Sequence, residues 1–176
     1  MRRVTHTLLG AAVALPIAVS HDTAVAIGCV WWGMAGGGFP DWFDLRSEFR
    51  SSLRLRHRGA SHGLPFVAMA CLGLLGLLRA IGASAFAPGG VALYPAGATI
   101  LPWVACFMFG MLSHLASDSC TVSGIQPLLP FGRWRFWLVP RPLRSRSDGY
   151  LDKVLGVVAV CVLTFGLVTY ISRFAW

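Results

Sequence analysis

The stretch GATILPWVACFMFGMLSHLASD, residues 97–118, decides the fold of this chain. Its first part, Gly97–Ser117, contains no Asp, Glu, Lys or Arg and matches the roughly 20 apolar residues that a helix needs to cross a bilayer. Two ionisable residues, His114 and Asp118, stand four residues apart at its end, so a helix places them on one face. The stretch therefore predicts a membrane span that ends in a polar pair.

The rest of the chain is equally apolar. Of 176 residues, 56% are hydrophobic and only 12% are charged, which excludes an ordinary soluble domain and a disordered chain. Two further runs, Leu64–Ser84 and Val154–Ile171, are long enough to span a bilayer. The sequence predicts an all-α, polytopic membrane protein in which residues 1–176 form a single membrane-embedded domain.

The N-terminal region contains two shorter apolar runs, Thr7–Val19 and Thr23–Gly37, separated by Ser20, His21 and Asp22. This pattern predicts a tight helical hairpin, which brings the total to about five membrane segments. The competing interpretation is a secretory signal peptide, in which the arginines at positions 2 and 3 precede an apolar stretch that ends at a cleavage site near Ser20.

Arginines gather in three places, and the loop at residues 85–96 carries no charge. Cytoplasmic loops of membrane proteins carry the excess of Lys and Arg. Five spans with a cytoplasmic N-terminus place every cluster on one side, whereas removing or merging the first two segments breaks that agreement. The three clusters are Arg2 and Arg3; Arg46, Arg50, Arg54, Arg56 and Arg58; and Arg133, Arg135, Arg141, Arg144 and Arg146.

This topology brings seven ionisable side chains to the cytoplasmic face, and it puts His21 and Asp22 about a membrane thickness away from them. Intramembrane and juxtamembrane ionisable groups usually mark a site. Neutral imidazole with carboxylate suits Zn²⁺, Mn²⁺ or Fe²⁺, so the set indicates a divalent metal ion, and for the helix-end pair a local hydrogen bond is the alternative. The seven residues are His6, Asp41, Asp44, His57, His62, His114 and Asp118.

Residues 38–63 are predicted to form a cytoplasmic loop that carries His and Asp. The glycines at positions 36–38 allow the chain to turn before Pro40, so that Asp41 and Asp44 point back at the helix ends. For both carboxylates a solvated turn is the alternative, and Asp44 is equally compatible with capping a helix at residues 45–55.

The segment Gly59–Gly63 also fits G-x-S-x-G, the nucleophile elbow of serine hydrolases, with Ser61 as nucleophile. That elbow needs a strand that runs into a helix at the top of a parallel sheet. The chain has neither the strands nor the length for such a sheet, so we reject a serine triad.

Residues 118–152 combine arginine, proline and aromatic residues, including Trp134-Arg135-Phe136-Trp137. Aromatics interleaved with cations can stack on nucleic-acid bases, but they also match an aromatic belt at the membrane interface, and we favour the belt. The prolines argue against a continuous helix. We therefore expect a cytoplasmic surface loop that covers the site and no nucleic-acid partner.

An ordered set of polar motifs runs along the chain: Thr5-His6, Pro40-Asp41 with Asp44, His57-Arg58-Gly59, Ser61-His62, Ser113-His114-Leu115 with Asp118, Thr121, Ser123-Gly124-Ile125 and Pro130-Phe131. This set resembles the YdjM-like family. These are bacterial inner-membrane proteins described as LexA-regulated, membrane-bound, predicted metal-dependent hydrolases. The similarity runs from His6 to about Asp152, although Trp42 and Phe43 both intervene in the family's Pro-Asp-x-Asp motif.

The resemblance implies a multi-pass protein of the bacterial inner (cytoplasmic) membrane, with a mononuclear or dinuclear site that faces the cytoplasm. The metal, Zn²⁺ first and Mn²⁺ or Fe²⁺ next, would activate water against a phosphoester or ester of a lipid-like, amphipathic substrate. The alternative is a non-catalytic membrane protein with a structural or sensory metal site. The expected metal ligands are His6, His57, His62, His114 and Asp118.

Three residues receive catalytic roles in this hypothesis. Asp41 or Asp44 ligates the metal or acts as general base, and Arg58 binds a phosphate, unless it serves only topology or lipid headgroups. Asp152 replaces the family's late Glu, and it caps the last helix or takes part in catalysis.

Overall fold

The structure, a computed structural model, describes residues 1–45, 59–85, 99–146 and 149–173. Within these ranges the secondary structure is helical, with isolated bridges but no strand, which confirms the all-α prediction. Short 3₁₀ turns lie at Ala60–His62 and Arg141–Leu143. The α-helices are α1 (Arg3–Ala18), α2 (Thr23–Leu45), α3 (Leu64–Ala85), α4 (Ile100–Ser119) and α5 (Tyr150–Ser172).

Three of these helices are long and apolar enough to cross a membrane. The candidate spans are Leu64–Ile81 of α3, the whole of α4 and the whole of α5. They correspond to the three long apolar runs of the sequence. Helix α1 is a shorter apolar helix of 16 residues, as expected for the first arm of a hairpin.

Helix α2 is longer than its apolar run, and here the prediction of a turn was wrong. The helix continues through Gly37 and Pro40 to Leu45, so residues 38–45 of the predicted loop are helical. Proline removes only one helical N–H, and the ring of Phe39 packs at 5.9 Å from Phe66 and 5.2 Å from Phe107 between ring centroids. These aromatic contacts with α3 and α4 stabilise the extra turns.

The glycines that suggested a turn serve helix packing instead. Gly33 and Gly37 lie on one face of α2, where a Cβ at Gly37 would overlap the His6 carbonyl and a Cβ at Gly33 would lie 2.7 Å from Ala14 Cβ. A Cβ at Gly110 of α4 would overlap the Gly33 carbonyl. Small residues of this kind let helix backbones approach closely. Helices α1, α2 and α4 therefore form a tight central trio.

The two remaining helices lie outside this trio. Helix α3 contacts α4, and α5 contacts α1. The larger core cluster lies between α3, α4 and the segment that follows α4. Its buried members are Val67, Leu74, Leu78, Phe107, Met111, Leu115 and Ile125.

Residues 120–146 fold against one end of the bundle. The amide and carbonyl of Ile125 pair with those of Phe136 (N···O 3.1 and 2.8 Å). The segment is tied to the helices because the Leu64 amide donates to the Pro127 carbonyl (2.8 Å) and the Leu138 amide donates to the Ser119 carbonyl (3.2 Å). This segment therefore lies across the start of α3 and the end of α4.

Candidate metal centre

Four segments deliver ionisable side chains to that same end of the bundle. His6 lies in the first turns of α1, Asp41 in the last turns of α2 and His62 directly before α3, while His114 and Asp118 end α4. Because α1 and α2 run in opposite directions, as do α3 and α4, the start of one helix meets the end of the next. His6, His62, His114 and Asp118 are each at most 1% exposed, while the Asp41 side chain is 15% exposed.

These side chains form two overlapping groups. Within each group, the ligand atoms all lie within 4.8 Å of one another. One group is His6, His114 and Asp118, and the other is Asp41, His62 and His114. The shared residue is His114. The two groups are compatible with one ion or with two neighbouring ions.

His62 and His114 lie close together in the cluster, with their Nε2 atoms 3.2 Å apart. Two nitrogen ligands of a tetrahedral zinc ion, each at about 2.0 Å, lie about 3.3 Å from each other. Two carboxylates lie next to this pair, and the Met1 ammonium nitrogen lies 3.4 Å from Asp118 Oδ1. Asp118 Oδ2 lies 3.7 Å from His62 Nε2 and 3.8 Å from His114 Nε2, and Asp41 Oδ1 lies 3.7 Å from both.

The outer nitrogens of the imidazoles are held by protein oxygens. His114 Nδ1 donates to the Gly37 carbonyl (2.7 Å). The Ser117 hydroxyl donates to the His114 carbonyl (2.9 Å), so its oxygen accepts from His6 Nδ1 (2.9 Å). In a neutral imidazole the proton on Nδ1 leaves a lone pair on Nε2. Metal-ligating histidines usually bind this way, with the second nitrogen donating to a carbonyl or other oxygen.

His62 and His6 complete the inner contacts. His62 Nδ1 lies 3.0 Å from the Ser61 hydroxyl, and His6 Nε2 lies 3.5 Å from Asp118 Oδ1. The rings of His6 and His114 stack at 3.8 Å between centroids. Three imidazole Nε2 atoms thus converge on two carboxylates, and this donor set fits Zn²⁺, Mn²⁺ or Fe²⁺.

Asp41 lies beyond the apolar part of α2 and outside the three candidate spans. Burial raises the pKa of this carboxyl, but its hydrogen bond to His62 and the positive charge that the imidazoles of His114, His6 and His62 carry when protonated outweigh burial and hold the pKa below its ordinary value. Asp41 is therefore a carboxylate at neutral pH, which is the form that binds cations.

The structure brings together five of the residues that the sequence singled out, namely His6, Asp41, His62, His114 and Asp118. His57 and Arg58 lie outside the described residues, and so does the side chain of Asp44, although its backbone belongs to α2. His21 and Asp22 are exposed at the opposite end.

Asp152 has a role that the sequence did not predict. It is 3% exposed, and its Oδ1 accepts from the Arg2 amide (3.1 Å), so it joins the start of α5 to the start of α1. Ser117 and the Gly37 carbonyl were also missed as partners of the histidines. The one available signal was the position of Ser117, between His114 and Asp118 on the same helix end.

Comparison with known proteins identifies the family of this chain. No curated protein and no solved structure matches the chain. A family model described as "YdjM inner membrane protein" matches residues 1–175, which is essentially the whole chain. The chain therefore belongs to the YdjM inner membrane protein family.

Proposed function

We propose that this protein is a membrane-bound, divalent-metal-dependent hydrolase that acts on a phosphoester or ester of a lipid-like, amphipathic substrate. The observation that carries the proposal is the convergence of three imidazole Nε2 atoms, of His6, His62 and His114, on the carboxylates of Asp41 and Asp118. A divalent cation bound there lowers the pKa of water and neutralises negative charge that develops on a phosphate or carbonyl oxygen.

The chain's own residues supply orientation and charge. The Gly37 carbonyl and the Ser117 hydroxyl hold His114 and His6 with Nε2 directed inward. Zn²⁺ is our first choice of metal because the 3.2 Å separation of the His62 and His114 Nε2 atoms suits a tetrahedral ion, with Mn²⁺ or Fe²⁺ as alternatives.

Asp41 occupies the side of the centre that solvent reaches. Its side chain is 15% exposed, whereas that of Asp118 is 2% exposed. A catalytic metal site keeps a position for water or substrate. We assign that position to the Asp41 side, where this carboxylate either ligates the metal or accepts a proton from water.

The proposed orientation places the centre at the cytoplasmic face of the inner membrane in a multi-pass protein. Among the described residues, arginines are concentrated at the end of the bundle that holds the centre, and Lys and Arg favour the cytoplasmic side. Exposed aromatics such as Phe131 and Trp134 at that end suit an interfacial belt. A centre at headgroup level favours an amphipathic substrate. The arginines at that end are Arg2, Arg3, Arg133, Arg135, Arg141, Arg144 and Arg146.

The second candidate function is a non-catalytic protein with a structural or sensory metal site. The near-complete burial of His6, His62, His114 and Asp118 favours it, because a structural site is coordinatively closed. The two functions differ in whether an added substrate is turned over, and not in metal content.

Hydrolysis by the purified, metal-loaded protein tests the proposal. We would screen phosphodiester and ester substrates with alkyl chains, using the wild type, Asp41→Asn and, as the matched control, Asp22→Asn at the opposite end. We expect turnover by the wild type and by Asp22→Asn, and its loss in Asp41→Asn. The metal content of Asp41→Asn then separates the two proposed roles of Asp41. If Asp41 is a metal ligand, the variant binds less metal; if Asp41 is a general base, the metal content is unchanged.

No turnover of any substrate by wild type that retains its metal would contradict the hydrolase proposal. The structural or sensory function would then be preferred. Equal turnover in wild type and Asp41→Asn would contradict the assignment of the open position to the Asp41 side.

A further inference from the structure

An apolar groove lies between α2 and α3. It encloses about 670 Å³, and none of the residues that line it is charged. The rings of Trp42, Phe39 and Trp32 contribute one side, and α3 contributes the other. The residues that define its course are Trp32, Gly38 and Trp42 of α2, Gly73 and Leu77 of α3, and Phe107 of α4.

One end of the groove adjoins the candidate site. Gly38 lines the groove three residues before Asp41 on α2, and residues at this spacing are neighbours on a helix surface. Trp42 lines the groove and follows Asp41 directly in the chain. The groove therefore begins within one helical turn of Asp41 on α2.

The other end of the groove lies beside a candidate membrane span, Leu64–Ile81 of α3. Two lining residues of α2, Trp32 and Trp42, are ten residues apart, so this part of the groove is about 15 Å long. That length is half of the roughly 30 Å hydrocarbon core of a bilayer. Since the α3 wall belongs to a candidate membrane span, the length of the groove matches the depth of one leaflet.

We propose that this groove holds one hydrocarbon chain of the substrate while the polar head lies at the metal centre. The inference rests on the proposed function. It narrows the proposed substrates to lipids with a phosphate or ester head that have one hydrocarbon chain or can insert one chain into the groove. Three observations support it: the apolar lining, a length that matches the depth of one leaflet, and lining residues, Gly38 and Trp42, within one helical turn of Asp41. A polar soluble ligand would find no partner along these walls.

A second groove provides an internal contrast. It encloses about 640 Å³ between α1, α2 and α5, and it is lined by Leu15, Val19, Thr23 and Tyr170 among others. These residues lie toward the end of the bundle that carries His21 and Asp22. It is also apolar, but it does not reach the metal centre, so a chain bound there cannot present its head to the histidines.

Two glycines of α3 provide a matched pair of variants. A Cβ at Gly73 or at Gly76 meets no atom within 4 Å, so both positions have room for a larger side chain. Only Gly73 lines the groove. Gly73→Phe therefore fills the groove, whereas Gly76→Phe adds the same ring to the same helix outside it.

The test measures binding of dodecyl phosphate and of inorganic phosphate to metal-loaded protein in nanodiscs, by native mass spectrometry or titration. We expect Gly73→Phe to weaken dodecyl phosphate binding about tenfold or more, as expected for a blocked apolar pocket. Gly76→Phe is expected to bind it like the wild type. Inorganic phosphate should bind all three proteins equally, because it has no chain.

Equal binding of dodecyl phosphate by wild type and Gly73→Phe would overturn the groove inference, even if the protein hydrolyses short-chain esters. Weaker binding confined to Gly73→Phe supports the groove, even if no substrate is turned over and the hydrolase proposal fails. A parallel loss in Gly76→Phe would also overturn it, since the effect would then not depend on the groove.

Discussion

The two ends of the helical bundle carry the same residue types in opposite environments. At one end, His6, His114 and Asp118 are buried and their ligand atoms face one another. At the other end, His21 and Asp22 are exposed, and Asp22 Oδ1 accepts from the Val25 amide (3.0 Å) at the start of α2. Asp22 is thus an ordinary helix cap. Whether a His or Asp side chain can serve as a metal ligand therefore depends on which end of the bundle it occupies.

The way the helices touch also differs between the ends. Near the metal centre, backbones meet directly, because a Cβ at Gly37 would overlap the His6 carbonyl. Toward the other end, the three atoms nearest to a Cβ at Gly166 of α5 all belong to the side chain of Leu15, the nearest at 2.6 Å. Backbone contacts hold helices in one position, whereas a leucine side chain can adjust. The centre is therefore built on the more rigid end.

The largest difference between the two ends is expected in metal binding, when one histidine at each end is replaced by alanine. His114→Ala removes the residue shared by both ligand groups, so bound metal should fall to background. His21→Ala should keep the wild-type metal content, since His21 lies about 20 Å from His6 when measured along the direction of α1. The measurement is metal content by mass spectrometry after detergent purification and reconstitution with Zn²⁺. Equal loss in both variants, or none in either, would remove the distinction between the ends.

A methyl group added to a glycine at each end tests the difference in rigidity. Gly37→Ala should destabilise the protein by about 3 kcal/mol, because two backbones must separate, and it should weaken metal binding. Gly166→Ala should cost less than about 1 kcal/mol, because the Leu15 side chain can move. Unfolding in detergent, followed by circular dichroism, provides the comparison. A Gly37→Ala variant as stable as Gly166→Ala would contradict the close backbone contact.

Two serines allow a finer test of the hydrogen bonds around the centre. The hydroxyls of Ser117 and Ser20 each donate to the carbonyl three residues earlier, but only Ser117 also contacts an imidazole, that of His6. Ser117→Ala should weaken metal binding about 10- to 100-fold, which is typical for the loss of a partner of a ligating histidine. Ser20→Ala should not change it. Metal affinity from chelator competition decides the point, and similar affinities for both variants would exclude an orienting role for Ser117.

The smallest effect is expected at the helix cap. Asp22→Ala should lower stability by about 1 kcal/mol, while Asp22→Asn, which retains a capping oxygen, should cost only a few tenths. Metal content should be unchanged in both variants. Thermal unfolding midpoints check the stability, and loss of metal from Asp22→Ala would show that the two ends are coupled.

Much of the candidate centre could be predicted because spacing and charge are local properties. The four-residue spacing of His114 and Asp118 places both on one helix face in any helix. The arginine clusters indicate which helix ends lie together, and this arrangement brought His6, His62 and Asp41 to the same face. The same reasoning placed His21 and Asp22 at the other end.

The continuation of α2 through Pro40 could not be predicted in this way. Three glycines followed by a proline favour a turn in an isolated segment. The bundle reverses that preference, because the glycine face is covered by α1 and α4 and Phe39 packs between Phe66 and Phe107. Tertiary contacts that lie dozens of residues apart in sequence outweigh the local tendency.

The sequence by itself determined the apolar helices, the end of each that carries ionisable groups and the kinds of ligand atom available, because hydropathy, helical periodicity and side-chain chemistry are properties of short segments. Only the tertiary structure decided that His62 and His114 lie 3.2 Å apart, that Gly37 and Ser117 orient the imidazoles, and that an apolar groove forms between α2 and α3. Those features depend on how closely separate helices approach, and glycine contacts between backbones set that distance.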